Sequence, residues 1–184
     1  MRNTRFRCAA STVLTLCLLA LSTSEANSQA VGGEPYRFTS KQGWCLDGQY
    51  SNWVVRNVCS QGGLETTWSK YSVGQGYFKL VSKYTGKCAS VASHFPGERV
   101  TQSVCVWGTP AALDKQRWRT LYIATTNGIP YYIIENDSGQ CLTHVAVTWW
   151  GGGLNDPFTT QQLCTGNDNQ LWDSYNMQYQ YHGP

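Results

Sequence analysis

The 184-residue sequence predicts an all-β fold in which three copies of one unit close into a barrel. Three observations carry this. A Gly-x-Cys triplet occurs three times, as Gly43-Trp44-Cys45, Gly86-Lys87-Cys88 and Gly139-Gln140-Cys141. Each triplet is followed by a second cysteine and then a tryptophan: Cys59 with Trp68, Cys105 with Trp118, and Cys164 with Trp172. Apolar residues alternate over short runs bounded by turn residues, and no long stretch carries them at helical spacing.

Each copy opens with a strand: Tyr36-Arg37-Phe38-Thr39, Tyr77-Phe78-Lys79-Leu80-Val81 and Tyr131-Tyr132-Ile133-Ile134. Polar turns such as Lys83-Tyr84-Thr85-Gly86, Thr126-Asn127-Gly128 and Asn136-Asp137-Ser138-Gly139 punctuate the strands. The repeats are read as about 36–76, 77–130 and 131–175. The interval between paired cysteines lengthens from copy to copy, as expected of loops, which absorb insertions at low cost. A repeat that cannot bury its own apolar face must stack on its neighbours. Three units of about four short strands can close a barrel under three capping hairpins, removing free sheet edges. The recurring tryptophans are expected to fill the shared interior.

Residues 1–30 read as a secretory signal. Arg2, Arg5 and Arg7 precede an apolar stretch from Cys8 to Leu21 that is too short to span a bilayer. Cleavage after Ser24-Glu25-Ala26 or after Ser28-Gln29-Ala30 would start the mature chain at Asn27 or Val31, and the sequence does not choose between them. Leu16 before Cys17 is large for a lipoprotein signal. The mature protein, residues 31–184, is then one secreted domain with a short C-terminal tail and no transmembrane segment. Its six cysteines, an even number in an exported chain, argue for three disulfides, whereas the short Cys-x-x-Cys spacing that zinc favours is absent. The repeat pairs Cys45 with Cys59, Cys88 with Cys105 and Cys141 with Cys164. Each bridge closes a loop within its own copy and contributes about 3 kcal/mol.

Composition excludes some functions. Net charge is +3, and the leader holds three of the arginines, so a nucleic-acid binder is not expected. Charged residues are 14% of the chain, but aromatics at 13% supply core bulk, which argues against disorder. No His-Glu-x-x-His, Gly-x-Ser-x-Gly or phosphate-loop motif occurs, and the cysteines are committed to bridges. Neither catalysis nor a cofactor or metal is expected. His94 and His144 are read as surface-loop histidines. The Asn136-Asp137-Ser138 triplet is either a glycosylation site or only a turn.

The Gly-x-Cys, second Cys and closing Gln-x-Trp, seen in Gln116-Arg117-Trp118 and Gln170-Leu171-Trp172, resemble the ricin-type β-trefoil lectins from about Tyr36 to Trp172. The first copy departs from the motif with Thr66-Thr67-Trp68. The resemblance implies a β-trefoil and sugar sites built on an Asp two residues after the first Cys, an aromatic and a Gln before the second, and the Asn of Asn-Gln-x-Trp. The first repeat keeps Asp47 but has Val55, Asn57 and Glu65 at the other places, with Trp53 and Tyr50 on the same loop. Asp47 is equally read as a turn cap before Gly48. The second repeat has Ser90, Thr101, Ser103 and Lys115, so no sugar site is expected there. The third has Thr143, Thr160 and Gln162 but keeps Asn169 and Gln170.

Two adjacent tryptophans, Trp149 and Trp150, precede three glycines in the long third-repeat interval, and on a strand they cannot both face inward. One is expected to be an exposed contact residue. The expected function is a non-catalytic carbohydrate-binding protein contacting glycans through Asp47, Trp53, Asn57, Trp149, Trp150 and Asn169. The alternative is a delivery subunit of a toxin complex, because the third repeat is loosely similar to the ricin-like subunits of cytolethal distending toxins. Such a subunit would bind a catalytic partner, with the aromatic tail Tyr175 to Tyr181 as a candidate segment. A protease-inhibiting trefoil ranks last.

Overall fold

The computed structural model describes residues 33–48, 52–59, 63–108, 114–145 and 158–176. The leader, Trp149, Trp150 and the tail beyond Asn176 lie outside the described residues.

Among the described residues twelve strands fall into three groups of four. The first group is β1 (Glu34–Ser40), β2 (Trp44–Asp47), β3 (Val55–Val58) and β4 (Trp68–Gly74). The second is β5 (Tyr77–Ser82), β6 (Cys88–Val91), β7 (Val100–Ser103) and β8 (Trp118–Thr126). The third is β9 (Ile129–Asn136), β10 (Gln140–His144), β11 (Thr159–Leu163) and β12 (Trp172–Asn176). All pairings are antiparallel. The first and last strands of each group form the barrel in the order β1-β4-β5-β8-β9-β12, and β12 returns to β1 through Phe38 opposite Ser174. The middle strands form three hairpins, β2–β3, β6–β7 and β10–β11. This is the expected β-trefoil.

The Gly-x-Cys motif has a backbone cause. Gly43, Gly86 and Gly139 adopt φ of 84°, 70° and 78°, the left-handed region in which a Cβ is strained. Each glycine N–H donates back to the last residue of the preceding strand, Ser40, Ser82 or Asn136, at 2.8, 2.9 and 3.0 Å. Side-chain oxygens of the same three residues accept further N–H groups of the turn. The disulfides are Cys45–Cys59, Cys88–Cys105 and Cys141–Cys164, as the repeat predicts.

Trp68, Trp118 and Trp172 are fully buried, and each indole N–H donates to the carbonyl of the residue after the first cysteine. The acceptors are Leu46, Ala89 and Leu142, each at 3.0 Å. Each indole thus buries a large apolar surface without orphaning its polar end and ties the barrel to its own repeat's hairpin. Phe38, Leu80 and Ile134 complete the barrel interior. Above them, Val54, Val100 and Thr159 are buried where the hairpins converge. There Trp53 bridges to Thr101, Arg99 to Thr160 and Phe158 to Val55, so each hairpin is tied to another in a closed triangle.

Candidate functional site

Around the third repeat, Thr143 of β10, Gln162 of β11, and Asn167, Asn169 and Gln170 line an open concavity of about 260 Å³, with Pro96 of the second repeat at its border. A 3₁₀ turn, Asp168–Gln170, presents Asn169. Gln170 builds the frame. Its amide donates to Thr143 Oγ1 at 3.0 Å and to the Leu163 carbonyl at 2.8 Å. Its Oε1 accepts the backbone N–H groups of Thr165 and Gly166 at 2.8 and 3.1 Å. With every polar atom of Gln170 used internally, the residue positions the wall. Asn169 makes no side-chain hydrogen bond among the described residues, which leaves an amide donor and acceptor for an incoming hydroxyl pair.

In the second repeat Gln116 plays the same framing part, donating to Ser103 Oγ and the Val104 carbonyl at 2.7 and 2.9 Å. The Gln of Gln-x-Trp is therefore an internal clamp. The first repeat replaces it with Thr66, whose hydroxyl donates to the Gly63 carbonyl at 3.3 Å.

The structure brings Asp47 and Asn57 together. Asp47 is buried, and its carboxylate accepts the Asn57 amide at 2.8 Å across the β2–β3 hairpin. Trp53, 37% exposed, engages a residue of another repeat: the Arg99 guanidinium lies 4.7 Å from its ring centroid. Of the six candidate contact residues, Asp47 and Asn57 share one place, Trp53 stands beside Arg99, and Asn169 lines the third-repeat concavity. Trp149 and Trp150 lie outside the described residues.

One expectation is corrected, and one open alternative is decided. His144 is no surface-loop residue: it is fully buried on β10, opposite Thr159, where the first and second repeats carry Gly48 and Val91. Among the described residues neither ring nitrogen has a hydrogen-bond partner. Burial, with the nearby Arg56 cation second, lowers its pKa to about 4. Asn136 is also buried, with its Oδ1 accepting from the backbone of Ser138 and Gln140 and its amide donating to Gln161. The triplet it opens is a structural turn.

Sequence reasoning missed two buried amides. Gln102 Nε2 donates to the Gly48 and Trp53 carbonyls at 3.0 and 2.8 Å, tying the second repeat to the first. Gln161 Nε2 donates to the Ser93 and Phe95 carbonyls at 2.8 and 2.7 Å, tying the third to the second. Both stand just inside the residue that faces the first cysteine, and that shared register was the signal available.

Among the described residues no group of three His, Cys, Asp or Glu side chains is placed to hold a metal, and no helix is long and apolar enough to cross a membrane.

Solved structures share this architecture. The designed three-fold symmetric protein ThreeFoil matches with a TM-score of 0.61 at 25% identity over 78% of this chain and 99% of that one. The fold is the β-trefoil. The Macrolepiota procera ricin B-like lectin, solved with lactose, matches at TM-score 0.58 and 14% identity, covering 77% of this chain and 94% of the lectin. The Haemophilus ducreyi cytolethal distending toxin matches at TM-score 0.58 and 18% identity, covering 78% and 83%. Other matched structures are longer, and this chain spans 30% of one and 17% of another. No protein-family profile and no curated protein sequence matches the chain.

Proposed function

We propose that the protein is a secreted, non-catalytic carbohydrate-binding protein. The observation that carries this is the third-repeat concavity, where Asn169 offers an uncommitted amide beside Gln162 and Thr143 on a wall that Gln170 holds rigid. Neutral amides and hydroxyls supply both donors and acceptors, which suits the paired hydroxyls of a sugar. Asn57, oriented from beneath by the buried Asp47 carboxylate, and Trp53 in the first repeat, with Trp149 and Trp150 in the third, are the further contacts of this reading. Shallow sites of this kind gain useful strength when several engage one glycosylated surface. The test is a glycan array on the mature protein followed by titration of Asn169→Ala with the best neutral ligand. Loss of binding with an unchanged melting temperature supports the reading, and an array with no bound glycan ends it.

A second reading, a cell-binding subunit of a toxin assembly, is favoured by the β8–β9 hairpin. Its strands pair from Trp118 and Asn136 out to Thr126 and Ile129 around an Asn127-Gly128 turn and leave Tyr122, Ile123 and Ile129 exposed. Exposed apolar side chains on a two-stranded ribbon suit a protein partner. Co-purification of the native secreted material with a catalytic chain, lost on Tyr122→Ser/Ile123→Ser, would favour it.

A further inference from the structure

The three residues that close the hairpin triangle form a site of their own. Trp53, Arg99 and Phe158 occupy corresponding positions, each just before the buried Val54, Val100 or Thr159, and each bridges to a different repeat. Their side chains meet. The Arg99 guanidinium carbon lies 4.7 Å from the Trp53 ring centroid and 4.2 Å from that of Phe158. Among the described residues the guanidinium meets no carboxylate and no hydrogen-bond acceptor, and the neighbouring Glu98 carboxylate accepts instead from Ser93 Oγ at 3.1 Å. Ring contacts take up the faces of a guanidinium and leave its in-plane N–H groups, which match the two oxygens of a carboxylate or sulfate. The rings also displace water from one side of the cation, so an anion arriving there meets a stronger field than at an open surface.

We propose that Arg99, with Trp53 beside it, binds the anionic group of an acidic sugar: the guanidinium takes a carboxylate or sulfate in a bidentate pair, and the exposed part of the Trp53 ring stacks on the pyranose C–H face. This rests on the carbohydrate reading but uses a different place from the Asn169 concavity. It also accounts for the placement of Trp53, which packs on Arg99 of the second repeat and through it reaches Phe158 of the third.

Calorimetric titration of the mature protein with methyl glucuronide, glucose 6-sulfate and methyl glucoside tests it. The two acidic sugars distinguish carboxylate from sulfate. At least one of them binds the wild type more tightly than methyl glucoside does, and its binding weakens as salt rises. Arg99→Gln loses that acidic sugar by about tenfold or more, as removal of a charge-assisted pair requires, while Asn169→Ala leaves it bound. Arg99→Lys keeps the charge but not the planar fork, and it also loses most of the affinity. The proposal is overturned if the wild type prefers neither acidic sugar to the neutral one, or if either Arg99 variant binds like the wild type. Should Arg99→Gln fail to fold, Arg99→Lys and Trp53→Phe decide: unchanged affinity in the former, or no change in ligand-induced tryptophan fluorescence in the latter, overturns it. Acidic-sugar binding that survives while Asn169→Ala and every neutral glycan give no signal would remove the third-repeat site and leave this one standing.

Discussion

The ring of His144 stands edge-on to that of Trp172, with centroids 6.0 Å apart, and both are sealed from solvent. Its two nitrogens lack partners among the described residues, and in that buried place the neutral imidazole is favoured. The folded pKa of about 4 lies below the unfolded value of 6.5. The unfolded chain therefore binds the proton first on acidification. This contribution to stability is fully present above pH 6.5 and is lost as pH falls towards 4, at a cost of about 2 kcal/mol between pH 7 and pH 5. Urea denaturation at pH 5, 6 and 7 measures it. His144→Val, which installs the side chain of the second repeat, removes most of the slope, and a variant with the wild-type slope would place the pH dependence elsewhere.

Gly86 adopts φ of 70° with open space where a Cβ would stand. Alanine there meets no clash, so conformational strain alone is expected to destabilise Gly86→Ala by about 1 kcal/mol. Thermal melts of Gly43→Ala and Gly139→Ala should agree, since the three turns share a conformation. A neutral result at all three would mean that the turns relax.

Gln161→Leu keeps the volume and removes the amide. It leaves the carbonyls of Ser93 and Phe95 and the amide of Asn136 short of a partner in the interior, for a loss of about 3 kcal/mol. Amide exchange should then speed up in the loop carrying Ser93 and Phe95 more than in β1 and β4. Uniform acceleration would argue against Gln161 as a local tie between the second and third repeats.

Gln170 and Asn169 are neighbours with separable roles. Gln170→Ala is expected to lower stability by about 2 kcal/mol, because it frees the loop after Cys164 and the Thr143 hydroxyl together. Asn169→Ala is expected to leave stability within about 0.5 kcal/mol, since its side chain makes no hydrogen bond among the described residues, and to abolish neutral-glycan binding. Denaturation and titration of both variants give the comparison, and equal stability losses would merge the two roles.

The threefold plan was legible because its markers are local and obligatory. A glycine at positive φ, a cysteine two residues later, and a tryptophan whose indole needs a carbonyl each solve a problem that recurs in every copy. The two buried glutamines were less legible, since the first repeat carries Arg56 at the corresponding place, and one register shared by two copies is a faint signal. His144 was misread for a related reason: a polar residue stands where the other copies have Gly48 and Val91, so comparing the repeats could not reveal a buried position.

Sequence alone determined the strand pattern, the pairing of the six cysteines and the closed three-unit barrel, because backbone conformation, loop closure and indole burial act within one repeat. Tertiary structure decided which side chains share a surface. Arg99 meets Trp53 and Phe158 because three hairpins converge at the pseudo-threefold axis, and Asp47 finds Asn57 because the strand register sets them on one hairpin. Proximity between repeats is a property of the closed barrel and is written in no single stretch of the chain.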